Sequence, residues 1–397
     1  MKKFLADNKQ EIIVILVALF SRLLTVFIGV VFITNSLNAN INDLGKAFVH
    51  WDGGWYLDIV ENGYDNNFSD YSPTSPECNM GDGSCQRNFA FFPLFPISTS
   101  IISSLLNIDH KIAGILLSNI LFCFSALILF KLTQYFTNSK VAWYTIACLL
   151  VFPTSYLFSA FMSESLYLFL FLASILLGIK QKWVMAGCTG ALLSATRNTG
   201  IMIIPILIAI YIEKKYQDKK FPGINFKLLK SLDLKVVFSI LIAGSGLLAF
   251  MIYLYNLVGD PLAFINIQRY WDKPVNGISP LLAIPYSFIN WQLETSLKIH
   301  IYNLGYFFLV TGLGLWGFLK KKLPLSQLAV LTIVFIPMLS GSMLALPRYI
   351  SVLYPMYMLA GIVLAKYRKI SGLLLLLSAI MSIIMLNAYV HGLWITV

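Results

Sequence analysis

The sequence is poor in charged residues: only 12% of its 397 residues are Asp, Glu, Lys or Arg, whereas 58% are hydrophobic. A soluble domain carries about twice that charged fraction. Apolar runs of about 20 residues, each long enough to cross a bilayer, recur from end to end. The alternating pattern of a membrane β-barrel is absent. This composition predicts an all-α, polytopic membrane protein.

Several common signatures are also missing. There is no glycine-rich dinucleotide fingerprint and no P-loop, so no nucleotide-binding fold is predicted. The first apolar run, Ile12 to Ile33, is too long for the core of a cleavable signal and is predicted to be a first anchor. The net charge of +11 comes from short basic loops between apolar runs. That is the positive-inside pattern rather than a nucleic-acid surface.

Cysteine is scarce as well, with five in the chain. Three of them lie in apolar runs and are predicted to pack as small hydrophobes: Cys123, Cys148 and Cys188. Cys78 and Cys85 flank the polar segment NMGDGS. If that segment lies outside the cell or in an oxidising lumen, a disulfide between them is the favoured prediction, with two unpaired thiols as the alternative. Two such ligands alone do not make a metal site.

Basic clusters set the predicted orientation, because Lys- and Arg-rich loops stay in the cytoplasm. The acid-rich segment 35–87 is therefore predicted to lie outside. Parity then requires that one of the next two apolar runs does not cross, and Pro93 and Pro96 mark 89–106 as an outer juxtamembrane or re-entrant element. The sequence predicts one membrane domain over 1–397, with large outer loops at 35–111 and 258–298. Its eleven spans are 11–34, 112–131, 141–159, 163–179, 183–196, 199–213, 235–257, 299–319, 325–345, 349–365 and 370–390, with the N-terminus inside.

With this threading, most charged residues at membrane depth collect at the outer ends of helices. They are Asp52, Asp58, Glu164, Arg197, Asp260, Arg269, Asp272 and Arg348; Arg22, inside the first span, is an exception. Such charges are costly and point to function. Arginines bind phosphate through paired donors, and nearby tryptophans and tyrosines suit both the membrane interface and sugar faces. The cluster predicts a lipid phosphate substrate that carries a carbohydrate.

The motifs HWDGGWYLDIVENGY, FAFFPLFP, SESLY, ATRNTG, GDPLAFINIQRYW and LPRYISVLYP, in that order, resemble the PIG-V-type mannosyltransferase family. That family adds the second mannose to the eukaryotic GPI-anchor precursor and belongs to the GT-C class of polytopic glycosyltransferases. The resemblance spans nearly the whole chain and implies a GT-C bundle with a catalytic aspartate in the first outer loop. It also implies a polyprenyl-phosphate donor such as dolichyl-phosphate mannose. His50 stands where the family pattern has arginine.

We predict an inverting sugar transfer with Asp52 and Glu164 as catalytic residues. Asp52 would act as the base, and charge on the departing phosphate would be stabilised by arginines. The predicted substrate-binding residues are His50, Trp51, Trp55, Tyr56, Arg197, Arg269, Trp271 and Arg348. Structural alternatives exist for each kind: the two acids could cap helices, the arginines could snorkel to the interface, His50 could be a spacer and Trp271 an interfacial anchor. No cofactor and no metal site are predicted, although a divalent ion is left open.

The predicted acceptor is a hydroxyl of a lipid, glycan or protein. Catalysis would occur at the non-cytoplasmic face of the cell membrane in a prokaryote or of the endoplasmic reticulum in a eukaryote. The alternative function is a transporter or flippase of lipid-linked saccharides, which would place charges at the bilayer midplane and show inverted repeats. A purely structural subunit is a third class. The concentration of polar residues at one end of the helices favours the enzyme.

Overall fold

The computed structural model describes residues 9–35, 40, 42–66, 86–216, 233–268, 295–335 and 346–393, with the backbone alone at 295–302. Across these ranges the secondary structure is helical and contains no β-strand. In chain order the helices are α1 (Lys9–Thr34), α2 (Asp43–Phe48), α3 (Asp52–Asn62), α4 (Leu94–Leu106), α5 (His110–Phe136), α6 (Ser139–Val151), α7 (Glu164–Ile179), α8 (Trp183–Ser194), α9 (Ile203–Lys215), α10 (Leu234–Val258), α11 (Ala263–Asn266), α12 (Thr295–Leu319), α13 (Leu325–Ala329), α14 (Leu346–Ser351), α15 (Tyr354–Lys366) and α16 (Arg368–Val390). Short 3-10 turns lie at Asn88–Ala90, Ser155–Phe158, Asn198–Met202 and Val330–Val334.

The long helices coincide with predicted spans. Within the described residues, α1, α5, α10 and α16 are each long and apolar enough to cross a membrane. The predicted span 299–319 is occupied by α12, which has 25 residues, and the remaining predicted spans contain shorter helices, several of them joined by 3-10 turns. The outer surface of the long helices is apolar, as at Phe20, Leu241 and Leu373, which are all more than half exposed. The predicted all-α polytopic membrane class is confirmed.

The proline-marked element predicted at 89–106 forms a turn followed by α4. Its 13 residues extend about 20 Å at 1.5 Å per residue, less than the roughly 30 Å hydrocarbon core. Ile97, Ile101 and Leu105 recur every fourth residue and are 52%, 53% and 78% exposed. One face of α4 is therefore apolar and uncovered while the other packs on the protein. Because α6 and α9 have the same length and occupy predicted spans, the position of α4 along the membrane surface stays a prediction.

Small residues let α8 and α10 pack at close range. A Cβ on Gly246 would lie 1.9 Å from the carbonyl oxygen of Ala191, and one on Gly187 would lie 2.7 Å from that of Ser239. Ser194 Oγ donates to the Ala243 carbonyl at 2.8 Å across the same contact. In lipid, where water does not drive helices together, close backbone approach and interhelical hydrogen bonds supply much of the association energy. This contact holds in place the end of α8, which leads directly to Arg197.

Arg22, the exception in the sequence, supports an irregular buried segment between α6 and α7. Its Nη1 donates to the Ser155 carbonyl at 2.6 Å, and its guanidinium carbon lies 4.3 Å from the centre of the Phe122 ring. The side chain is 1% exposed, so it bonds a neighbouring element rather than snorkelling. Irregular backbone at membrane depth is tolerated where protein groups satisfy it. The segment ends at Glu164, the first residue of α7.

Candidate active site

Asp52 is the first residue of α3, and the residue before it, Trp51, has a strained backbone. Trp51, at the N-cap position, has φ +52° and ψ −120° and makes no side-chain capping hydrogen bond. Positive φ is rare for a bulky residue and marks local strain, which concentrates at functional sites. The amide of Gly53 donates to the His50 carbonyl at 2.9 Å. Asp52 is thus the first helical residue rather than the N-cap, and the capping alternative for it is wrong.

Gly53 fits a narrow contact behind Asp52. A Cβ at this position would lie 3.0 Å from the carbonyl oxygen of Phe161, whereas Gly54 has nothing within 4 Å. The Phe161 amide in turn donates to the Phe48 carbonyl at 3.0 Å. The segment before α7 therefore sets the position of the first turn of α3.

Four charged side chains from separate parts of the chain meet in one network. Arg348 in α14 donates from Nη1 to Asp52 Oδ2 and from Nε to Glu164 Oε1. Arg197, between α8 and α9, donates from Nη1 to the same Glu164 oxygen at 2.8 Å. The order of contacts is Asp52, Arg348, Glu164, Arg197, with charges that alternate and sum to zero.

Exposure differs sharply within this network. The Glu164 side chain is 0% exposed and that of Arg348 is 5%, whereas the Asp52 side chain is 25% exposed. Glu164 Oε2 is buried and has no hydrogen-bond partner. Asp52 is therefore the carboxylate that solvent or a substrate can reach, and Glu164 is enclosed between the two arginines. The capping alternative for Glu164 is also wrong, because Ser163 is the N-cap of α7 and the Glu164 carboxylate bonds the two arginines instead.

The negative partners keep both guanidinium groups charged. Burial alone would lower the pKa of Arg348, but the charges of Asp52 and Glu164 outweigh it and hold that pKa well above its usual value. Burial and the neighbouring Arg348 would lower the pKa of Arg197, yet Glu164 and nearby tyrosines raise it overall. Buried ion pairs of this kind need partners for every charge. The arginines therefore pair with acids rather than snorkelling.

Aromatic residues form the wall beside the network. Tyr56, one turn after Asp52, shares a hydrogen bond with Ser163 Oγ at 2.9 Å. The Tyr56 ring meets the rings of Phe91 and Phe95 edge-on, each at 5.3 Å between centroids. The FAFFPLFP motif thus packs directly behind α3. On the other side, the guanidinium carbon of Arg197 lies 4.8 Å from the centre of the Tyr349 ring.

Other predicted site residues pack on aromatic or apolar neighbours, and some lie outside the described residues. The His50 ring meets Tyr389 edge-on at 5.3 Å, and burial lowers the pKa of His50 below its usual value, which favours the neutral ring. Trp51 is half-buried against the apolar core, and Trp55 stacks on Phe91 at 6.1 Å. Arg269, Trp271, Cys78 and Cys85 lie outside the described residues, so their predicted roles stay predictions.

The structure also separates other outer acids from the network and adds residues to it. Asp58 accepts from the buried Asn88 Nδ2 at 2.7 Å and so joins α3 to the turn at Asn88–Ala90. Asp260 accepts from the Leu262 amide at 2.8 Å and so organises its own turn. Ser163 and Tyr349 were missed in the sequence, although each adjoins a predicted residue in SESLY and LPRY. Within the described part of the chain, no group of three His, Cys, Asp or Glu residues is arranged to hold a metal ion.

No protein-family model matches the sequence, and no curated protein matches it. Solved structures do match its fold. A crystal structure of ArnT from Cupriavidus metallidurans bound to undecaprenyl phosphate has TM-score 0.56 and 13% identity, over 98% of this chain and 69% of that one. The oligosaccharyltransferase of Archaeoglobus fulgidus, tethered to an acceptor peptide containing the NVT sequon, has TM-score 0.52 and 14% identity, over 98% of this chain.

A second structure of that archaeal enzyme, AglB with an inhibitory peptide and a dolichol-phosphate, has TM-score 0.51 and 15% identity. This chain spans 56% of the length of the oligosaccharyltransferase chain. The match establishes the architecture: the protein is an integral membrane protein with the GT-C fold predicted from its sequence. The likeness is to GT-C enzymes as a class, and the resemblance to the PIG-V-type family remains a prediction.

Proposed function

We propose that this protein is a membrane glycosyltransferase that moves a sugar from a polyprenyl-phosphate donor to an acceptor hydroxyl. The observation that carries the proposal is the contact between the partly exposed Asp52 and the buried, charged Arg348. It joins a carboxylate able to take a proton to guanidinium groups able to bind a phosphate. The GT-C fold supports the same class, since two structures with this fold hold undecaprenyl phosphate or dolichol-phosphate.

The proposed reaction inverts the anomeric carbon and uses Asp52 as the base. Arg348 contacts Oδ2 of Asp52, which leaves Oδ1 to take the proton of the acceptor hydroxyl. The acceptor oxygen then bonds to the anomeric carbon while the bond from that carbon to the phosphate oxygen breaks. The lipid phosphate leaves with the electron pair. Such a base contributes about 10²–10⁴-fold to the rate.

The arginines would bind and stabilise the departing phosphate. Charge develops on that group as the bond breaks, and donors fixed in a water-poor site stabilise it without reorganising. Glu164 holds both guanidinium groups through one oxygen, so we assign it a positioning role. Mannose is the proposed sugar, on the strength of the motif resemblance, and the proposed site faces away from the cytoplasm.

The test is a transfer assay on the purified full-length chain in lipid nanodiscs. The substrates are a synthetic polyprenyl-phosphate mannose and a lipid and glycan extract of the host membrane, with release of polyprenyl phosphate as the readout. We expect Asp52→Asn to lower turnover about 10²–10⁴-fold. The matched control is Glu61→Gln, an exposed acid on the same helix. Turnover of Asp52→Asn equal to that of Glu61→Gln would exclude Asp52 as the base.

A further inference from the structure

A cavity lies at the other end of the helices from the charged network. Glu164 starts α7 and Ile179 ends it, so the two sites are separated by about 24 Å along this one helix. The cavity has a volume of about 270 Å³. Its lining residues are Tyr135, Phe136, Ile179, Ile210, Glu213, Lys214, Pro324, Ser326 and Gln327. It therefore opens between the ends of α5, α7 and α9 and the start of α13, at the end that basic loops predict to face the cytoplasm.

Side-chain contacts build the walls of this cavity. Ser326 donates to Glu213 from its amide at 2.7 Å and from its hydroxyl at 2.5 Å. Gln327 is fully buried and its amide oxygen accepts from the Tyr354 hydroxyl. Both oxygens of the Glu213 carboxylate are thus engaged with α13, and a polar floor is held in place beneath mostly apolar walls.

Lys214 lines the cavity, and further lysines adjoin its lining residues in sequence. Lys214 Nζ donates to the Tyr135 hydroxyl at 2.8 Å, and Lys215 Nζ donates to the Tyr211 hydroxyl at 2.8 Å. Trp183 packs on the Tyr211 ring at 5.7 Å, which brings the loop between α7 and α8 to the same place. The exposed lysines of the adjoining loops are Lys180 and Lys182, next to Ile179, and Lys320, Lys321 and Lys322, just before Pro324.

The balance of charge there is positive. Two acids face these lysines among the described residues: Glu213, which is engaged with Ser326, and Asp233, whose amide donates to Tyr211 at 3.3 Å. The cavity is slightly smaller than the usual range for drug-sized ligands, about 300–1,000 Å³, and so suits a headgroup rather than a whole lipid. Basic pockets between helices at the cytoplasmic side bind anionic lipid headgroups.

We propose that this cavity binds the headgroup of an anionic glycerophospholipid. The phosphate would lie at the mouth, beside Lys214 and the neighbouring loop lysines. The glycerol backbone would lie against Ile179, Ile210 and Phe136, and the acyl chains would extend along the exposed surface of α5. The site does not depend on the sugar-transfer proposal, because none of its residues belongs to the charged network.

The experiment is native mass spectrometry of the full-length protein, released from nanodiscs that contain equal amounts of phosphatidylglycerol and phosphatidylcholine with the same acyl chains. We expect one phosphatidylglycerol to be retained in preference to phosphatidylcholine. One lysine near an anionic lipid surface contributes about a fivefold effect, so Lys214→Gln should lower retention by about that factor. Lys46→Gln, an exposed lysine near the opposite end, is the matched control and should retain the lipid as the wild type does.

A second variant keeps the test decisive if Lys214→Gln does not fold. Lys320→Gln combined with Lys321→Gln changes two exposed side chains and should also lower retention relative to Lys46→Gln. Added glycerol phosphate distinguishes a free phosphate from a lipid: the headgroup alone should not displace the bound lipid, since the apolar walls contribute. Equal retention of the two lipids by the wild type, or equal retention of phosphatidylglycerol by all variants, would overturn the proposal.

Discussion

The Arg348 guanidinium donates a hydrogen bond to the carboxylate of Asp52 across 296 positions of sequence. The same guanidinium also bonds Glu164 through a different nitrogen. Asp52 is the only one of the four network side chains with substantial exposure. It is therefore paired with an arginine, a residue type that also binds phosphate. A donor phosphate would compete with Asp52 for Arg348, and this competition would release the base when the donor is in place.

Arg348→Lys should lower turnover more strongly than the same substitution at an arginine outside the network. A lysine has a single ammonium and cannot reproduce two directed contacts from separate nitrogens. We expect a loss of about 10²–10³-fold in kcat, as for removal of one donor that stabilises a developing anion. The measurement is turnover at saturating donor. Arg368→Lys, an exposed arginine at the start of α16, is the control, and an equal loss in both variants would count against the role of Arg348.

Glu164→Gln should destabilise the protein as well as slow it. The substitution keeps the shape but removes the charge that faces two buried arginines, and breaking a buried ion pair from one side costs about 3–5 kcal/mol. Chemical unfolding in detergent should show a lower free energy of unfolding than for Glu61→Gln. Donor affinity should fall in the same variant, because Arg197 and Arg348 lose their common anchor. Unchanged stability and affinity would contradict the positioning role.

Gly53 and Gly54 offer a matched pair in the first turn of α3. An alanine Cβ at Gly53 would meet the Phe161 carbonyl at 3.0 Å, whereas at Gly54 it would meet nothing within 4 Å. Gly53→Ala should shift Asp52 by a few tenths of an ångström and lower kcat by about tenfold, because a misplacement of 1 Å costs about 10²-fold. Gly54→Ala should be close to wild type. The opposite order of activities would contradict the close contact between Gly53 and Phe161.

A second glycine pair tests the contact between α8 and α10. A Cβ at Gly246 would lie 1.9 Å from the Ala191 carbonyl oxygen, while at Gly244 the nearest atom is 3.8 Å away. Gly246→Ala should separate the helices and reduce thermal stability. Gly244→Ala should be neutral or slightly stabilising, by about 0.5–1 kcal/mol, because alanine favours the helix. Equal melting temperatures for the two variants would contradict the close packing.

The sequence predicts the helices well because their signals are local. The long apolar runs at α1, α5, α10 and α16 indicate directly how long each helix is, and Pro93 marks the start of α4. The outer polar residues were also identifiable, since charge at membrane depth is rare. What the sequence could not supply was pairing: nothing local shows that Arg348 bonds both Asp52 and Glu164, because that depends on how distant segments pack.

The same limit explains the corrections. Asp52 and Glu164 each sit beside a helix start, where capping is a reasonable local prediction, but tertiary partners bind both carboxylates instead. Gly53 has the general signature of a close approach, yet only the fold shows that Phe161 is the neighbour. The sequence groups Asp58 with the outer charges that point to function, and its carboxylate binds Asn88, which belongs to a turn 30 residues later. The local sequence around either residue does not indicate which distant residue it contacts.

The most direct test of the account measures donor binding and donor turnover on the same preparations of wild type and Asp52→Asn. Binding of a polyprenyl-phosphate sugar is measured by its displacement of a fluorescent donor analogue from the protein. Turnover is measured by release of polyprenyl phosphate. We expect Asp52→Asn to bind the donor at least as tightly as wild type, because the Asp52 carboxylate no longer competes with the donor phosphate for Arg348. Turnover should fall about 10²–10⁴-fold. Wild-type turnover in this variant, or the absence of donor binding in the wild type, would contradict the central claim.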